Sequence, residues 1–279
     1  MLKSSGDYLK ICAAAAAYKG KLLDRPIVLE HDTRNALDIL RDRSADTITH
    51  FVDVPVRDII GCGHLNFGAP PLTWRESIRK VGYGWQDGVI NYFESAIRDA
   101  DFPGDGARYG LRLLRHRLPG GRGPIFVENG IHRSVGLVNW MISTRGDESV
   151  VIQVQVCECP LRSDLAFGLA ALANGKPVRM RSLLSTYSAP YRPPFVAPEA
   201  SALVLVGEFA QPEAYALIGQ GRETALHEVH PPQRPLLQRP SAWRRHYLEC
   251  LQIAMGPETI VPSGYLDAVA EASADKRND

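Results

Sequence analysis

Six consecutive positions near the middle of the chain hold Glu128, Asn129, Gly130, Ile131, His132 and Arg133, and five of them carry side chains or backbone freedom suited to chemistry. The residues before them, Pro124 to Glu128, read as a buried strand, and Ile131 to Ile142 has helical spacing with Val135, Val138 and Ile142 on one face. Asn129-Gly130 is then a tight turn from strand to helix. That geometry aims several backbone N–H groups and the positive end of the helix at one spot, which suits an anion. Arg133 can add a bidentate phosphate contact. His132 can donate a proton or a hydrogen bond, and Glu128 can act as a base or hold a metal ion. Asp58, at the end of an earlier strand, offers a second carboxylate. The plainer account is an ordinary turn with Arg133 and His132 on a solvated helix start.

A second basic feature lies just upstream. ARYGLRLLRHRL, residues 107 to 118, predicts a helix with Arg108, Arg112 and Arg115 on one face and Leu111, Leu114 and Leu118 on the other. Such a stripe suits a nucleotide or a nucleic-acid backbone, with an ordinary solvated face as the competing account. No aromatic residues interleave with these arginines, so a stacking platform for single strands is not expected. Cys62, His64, Cys157 and Cys159 together make a legitimate zinc set if their two segments meet, although C-x-C is not the usual spacing and small core cysteines are the default. Trp243, Tyr247 and Leu251 lie at helical spacing and predict a packed C-terminal helix. His227 and His230 precede a proline pair and read as loop. The chain has no G-x-S-x-G, no Walker loop and no H-E-x-x-H.

These residues need a scaffold. Residues 4 to 17 predict an N-terminal surface helix capped by Ser4 or Ser5, and a second helix runs from Asp32 or Thr33 to about Arg43. Ile48 to Ile60 is β-branched and extended, bent or ended at Pro55. A glycine-rich connection spans Gly61 to Pro71; Thr73 then caps a helix with Trp74, Ile78 and Val81, and another covers Asp87 to Arg98. Ser149 to Cys157 alternates Val150, Ile152, Val154 and Val156 with Val151, Gln153 and Gln155, predicting one buried face. Ser163 caps a helix to Ala173 that stops at Asn174-Gly175. A strand at Ala202 to Val206, a helix at Pro212 to Ile218, a last helix from Ser241 to about Met255 and a frayed polar tail after Ala270 complete the pattern.

Strands alternating with helices predict an α/β or α+β fold, a mixed sheet flanked by helices. The expected divisions are a helical extension over residues 1–47, an α/β core over 48–185 and a C-terminal α/β extension over 199–270. With 279 residues the chain can bury a sizeable core. Its 32 Lys and Arg against 31 Asp and Glu exclude a strongly basic nucleic-acid coat but not a local basic patch. Five cysteines, an odd number, argue against a disulfide framework and for a reducing, cytoplasmic setting. No apolar run approaches the roughly 20 residues of a membrane helix, so no membrane partner is expected. Ile11 to Tyr18 is alanine-dominated and preceded by Asp7, which favours a helix over a secretory signal.

The strand, the turn Gly130-Ile131-His132-Arg133 and the helix behind it resemble the signature of the ParB/sulfiredoxin superfamily. That group includes partition proteins, sulfiredoxins, free-serine kinases and the D-G-x-H-R proteins of DNA-modification systems. VPVRDI (Val54 to Ile59) resembles its opening strand, VVIQVQVCE (Val150 to Glu158) the strand after the motif helix, and DLAFGLAALANGKPVRMRSLL (Asp164 to Leu184) the helix and turn that follow. The resemblance spans about half the chain and implies a ParB/sulfiredoxin-like core. Ile131 stands where sulfiredoxins have cysteine and partition proteins glutamate, and Asn129 replaces the acid of D-G-x-H-R. What carries over is phosphate binding by Gly130, His132 and Arg133.

The implied function is a nucleotide- or phosphate-binding protein, as a small-molecule phosphotransferase or a DNA-processing enzyme. Glu128, His132 and Asp58 would be its catalytic groups, and Asn129, Gly130, Arg133, Arg112 and Arg115 its ligand-binding groups. ATP or CTP with Mg²⁺ would be the cofactor, and a nucleotide, a phosphorylated small molecule or DNA the partner. A non-catalytic DNA- or partner-binding accessory protein is the first alternative. A class I S-adenosylmethionine-dependent methyltransferase, with PIFVENG and VVIQVQVCE as its first two strands, is the second.

Overall fold

The computed structural model describes residues 5–29, 39–42, 45–64, 67, 72–81, 85–104, 110–118, 123–183, 199–207, 213–219, 225–229, 260–261 and 263–275. The chain separates into two compact units. One comprises Met1–Glu30, Asp46–Arg117 and Gly121–Cys159; the other comprises His31–Ala45, Leu118–Gly120 and Pro160–Asp279. The predicted helices at 32–43 and 241–255, the proline-rich stretches and Arg108 fall wholly or largely outside the described residues.

The first unit opens with helix α1 (Gly6–Ala17), where the Ser5 hydroxyl accepts the Tyr8 N–H at 3.2 Å and stands in for a missing intrahelical partner. Ile11 and Ala15 turn inward and join the core. Strands β1 (Val28–Leu29), β2 (Ile48–Pro55) and β3 (Ile59–Cys62) follow, with a single helical turn at Val56–Asp58 between the last two. β3 is buried along its whole length, as a parallel strand covered on both faces must be. A methyl group at Gly61 would collide with the Val28 carbonyl, so the close pairing of β1 and β3 requires glycine there.

Helix α2 (Trp74–Ser77) begins with a full capping box between Thr73 and Glu76. Helix α3 (Val89–Glu94) takes its cap from far along the chain. The Asp7 carboxylate accepts the Gly88 N–H at 2.8 Å and the Ile90 N–H at 3.4 Å. Trp85, Tyr92, Phe93 and Phe102 form an aromatic cluster on and beside α3, mostly edge-to-face, with ring centres 5.2–6.4 Å apart. Strands β4 (Arg112–Arg117) and β5 (Ile125–Asn129), helix α4 (Ile131–Arg145) and strand β6 (Val150–Pro160) complete the unit. The sheet has six strands in the order β1-β3-β5-β4-β6-β2, with β1, β3 and β5 parallel and β4/β5 and β2/β6 antiparallel. Helices α1, α2 and α3 all contact α4.

Two expectations change here. The predicted basic helix at 107–118 is strand β4 over its described part. Leu113 opposes Val127 and Leu114 opposes Phe126, so pairing with a buried neighbour overrides a spacing that suited a helix equally well. The single alternating face of β6 is also broken. Asp53 faces both Ile152 and Gln153, a β-bulge in which Gln153 takes φ 51° and its N–H donates to Asp53 Oδ1 at 2.9 Å. The extra residue reverses the alternation, so Val151, Val154 and Val156 are buried while Val150 and Ile152 are exposed.

The second unit carries helix α5 (Ser163–Ala173), strands β7 (Val178–Ser182), β8 (Ala202–Val206), β9 (Glu213–Ile218), β10 (Ala225–Glu228) and β11 (Ile260–Val261), and helix α6 (Ser263–Asp275). Its sheet is antiparallel throughout, in the order β10-β9-β8-β7-β11, and α5 packs on α6. Mixed α/β content is therefore present in the form expected. Ser163 is the first helical residue of α5 and Arg162 the cap, without a side-chain bond. The predicted helix at 212–218 is β9, because EAYALI alternates against the buried run of β8. The supposed polar tail is helical to Asp275, anchored earlier by buried Tyr265, Leu266 and Val269.

Candidate functional site at the carboxyl edge of the parallel strands

β5 delivers the chain into α4 through Gly130, which has φ 77° and ψ 35°. A side chain there would strain the backbone and press on Leu111, whose Cδ1 would lie 3.3 Å from a Cβ. The turn provides no side-chain cap, and the first turn of α4 holds no acidic residue. Its first N–H groups have no partner within the helix, as at any helix start. Ser134 N–H and hydroxyl both donate to the Gly130 carbonyl at 2.9 Å, which ties down the turn. This serine is buried, and only its position in the first turn distinguished it in the sequence.

His132 is exposed at the start of α4, and its imidazole centre lies 5.4 Å from that of His64. The register explains the meeting. Cys62 of β3 opposes Val127 of β5, so the residues that follow the two parallel strands leave the sheet side by side. Phe67, 1% exposed, packs against both rings at 5.7 and 6.2 Å. Partial loss of water around the ring, and then the neighbouring His64, hold the His132 imidazole below its ordinary range. Arg133 is buried with its guanidinium carbon 4.6 Å from the centre of the Phe102 ring, a cation–π contact inside the aromatic cluster. It lies against the protein instead of extending from a solvated helix start, and its guanidinium is turned to Phe102, not held out for the bidentate phosphate contact expected of it.

Glu128 is exposed, and Oε2 lies 2.8 Å from Arg112 Nε. Asn129 donates from Nδ2 to the Gly110 carbonyl at 3.0 Å, a contact that positions the chain entering β4. Glu128, Asn129, Gly130, His132, Arg133 and Arg112 are thus brought to one end of the sheet. Asp58 and Arg115 are not. Asp58 precedes Ile59, which together with Arg115 is level with Ile125. Four strand residues separate that level from Asn129, about 13 Å at 3.3 Å per residue. Arg115 instead joins a second charged group, its Nη1 2.8 Å from Oε1 of buried Glu158, with His50 Nε2 3.1 Å from the same oxygen. Glu128 and Asp58 therefore do not form a two-carboxylate metal site.

The zinc set does not assemble. β5 and β4 lie between β3 and β6, placing Cys62 and Cys157 on strands about 14 Å apart at 4.8 Å per strand. Among the described residues no three His, Cys, Asp or Glu side chains could hold a metal ion together. The arginine stripe that suggested a DNA-contacting helix is also not formed, since Arg112 and Arg115 lie on a strand and each meets a carboxylate. For the methyltransferase alternative, β4 separates the two strands that should adjoin. Among the described residues, no helix is long and apolar enough to cross a membrane. No protein-family model matches the chain, and no curated protein or solved structure matches it.

Proposed function

We propose that the corner between β5 and α4 binds the phosphate of a nucleotide or phosphorylated small molecule. The observation that carries this reading is the contrast between helix starts. α1 and α2 are closed by Ser5 and by the Thr73–Glu76 box, and each has an acidic residue in its first turn. α4, the longest helix of its unit, has neither a side-chain cap nor an acid there, and it starts at the carboxyl edge of parallel strands, where α/β proteins commonly hold ligands. His132 and Arg133 add polar and positive character to the same turn. The likeness of Gly130-Ile131-His132-Arg133 to the ParB/sulfiredoxin signature supports the same chemistry and favours ATP or CTP with Mg²⁺ as guest. Within that class, a small-molecule phosphotransferase or a DNA-processing enzyme is the activity to seek.

His132→Asp tests the reading by opposing two effects. A carboxylate in the first turn stabilises the empty protein by about 0.3–1 kcal/mol through the helix dipole, yet it repels an anionic guest. Inorganic phosphate, ATP and CTP, the nucleotides with and without Mg²⁺, should raise the melting temperature of the wild type and not of the variant. Equal shifts in both proteins, or no shift in the wild type, overturn the assignment.

A further inference from the structure

His64 and His132 are paired by the fold, not by sequence. They follow two parallel strands that are hydrogen-bonded neighbours, their ring planes are tilted by 48°, and both pack on the Phe67 ring. With ring centres 5.4 Å apart the two imidazoles sit side by side, close enough for one guest the size of a phosphodiester group to reach both. With one proton between them, two imidazoles divide the acid and base roles. In that state one ring accepts a proton while the other donates, the requirement for displacement at an ester. The same corner carries the charged groups Arg133, within α4, and the Glu128–Arg112 pair at the end of β5.

We propose that His64 and His132 are the general acid and general base of phosphodiester hydrolysis at this corner, an inference that rests on the phosphate-binding reading above. His132 takes a proton from water as the water oxygen forms its bond to phosphorus. The bond from phosphorus to the leaving ester oxygen breaks, and His64 delivers its proton to that oxygen. The products are a phosphomonoester and an alcohol. The pair holds one proton before and after the step, and exchange with solvent returns it to His64. The first-turn amides of α4 face the negative charge that builds on the phosphoryl oxygens. Partial loss of water around the ring and His64 favour the neutral form of His132, the form a base needs near pH 7. Phe67, touching both rings and not the guest, is a positioning residue.

The experiment uses the full chain with bis(4-nitrophenyl) phosphate and diphenyl phosphate, which differ in how much their leaving oxygen needs a proton. His132→Gln should lower turnover about 10²-fold or more on both esters. His64→Gln should do so on diphenyl phosphate and have a much smaller effect on the nitrophenyl ester. Each variant should remove one limb of the pH–rate profile, and His64→Gln should keep its melting temperature and its stabilisation by inorganic phosphate. In the alanine variants, added imidazole should restore part of the rate. Turnover within threefold of wild type in both glutamine variants overturns the pair. So does a wild type that is stabilised by phosphate but hydrolyses neither ester, an outcome that leaves the binding reading standing. Absence of phosphate stabilisation in the wild type removes both.

Discussion

At Gly130 a single hydrogen atom in place of a side chain decides the exit angle of β5. Its φ of 77° is a left-handed conformation that costs an L-residue about 1–2 kcal/mol, and Leu111 leaves little room beside it. Gly130→Ala should therefore lower unfolding stability in urea by about that amount, and Gly130→Asn by less, because asparagine tolerates this region better. Equal losses would show that crowding against Leu111, not backbone conformation, sets the penalty. His132 makes a separate prediction. Its imidazole is held below the ordinary value, so the unfolded chain binds this proton first as pH falls. Stability contributed by the neutral ring is complete above about pH 6.5 and is lost as pH drops through the lower folded-state value. Thermal unfolding at pH 7.5 and 5.0 should show a smaller decline for His132→Gln than for wild type. Residues 128 to 133 were legible as a corner because strand, Asn-Gly and helix adjoin in sequence. The role of His64 was not, since only strand pairing brings it to His132. Asp58 was misplaced for the same reason, with the level of its strand fixed by Ile59 opposite Ile125.

Among the elements, α3 depends on a cap supplied from α1. Burial pushes the Asp7 carboxyl up, but hydrogen bonds from Gly88 N–H, Lys10 and Ile90 N–H outweigh it and keep the group below its usual range. Asp7→Asn should cost about 0.3–1 kcal/mol at neutral pH, the part of the contact that depends on a negative charge at a helix start. The gap should close in acid, where Asp7 becomes protonated and resembles asparagine. A gap that persists at pH 2.5 would mean that shape and not charge holds the contact. Elements bounded by strong local signals were readable: Ser5 before α1, the Thr73–Glu76 box, Gly130 before α4, and Asn174 in the left-handed region after α5. Those decided by a neighbour were not. LRLLRHR and EAYALI both fit a helix in isolation and become strands through β5 and β8. The bulge at Gln153 inverts a face that simple alternation assigns the other way.

Across the whole molecule, ionisable groups point to a broad neutral plateau of stability. Arg75 lowers the Asp24 carboxyl, Thr73 that of Glu76, and Lys176 that of Glu213. Each contributes stability above the unfolded carboxylate range of about pH 4 that disappears as pH falls through the folded-state values. Tyr18 acts in the opposite direction. Burial and a hydrogen bond to Asp147 raise it to about 12, so its contribution is present up to about pH 10 and vanishes as pH rises through the folded value. Melting temperature measured from pH 3 to 12 should thus be highest between roughly pH 7 and 10. A maximum below pH 5 would contradict this assignment of charges. The mixed α/β class was legible from alternating periodicity, because periodicity reports which face is buried. Strand order was not, because β4 enters the sheet between β5 and β6 without any local mark in the chain.

The chain leaves the first unit after Glu30 and after Arg117, returns each time, and departs finally after Cys159. A ribosome making this protein would join every residue of that unit before Pro160 and the stretch that follows it are added. Synthesis therefore has a built-in order, in which the corner between β5 and α4 can close before the second unit has its own sheet.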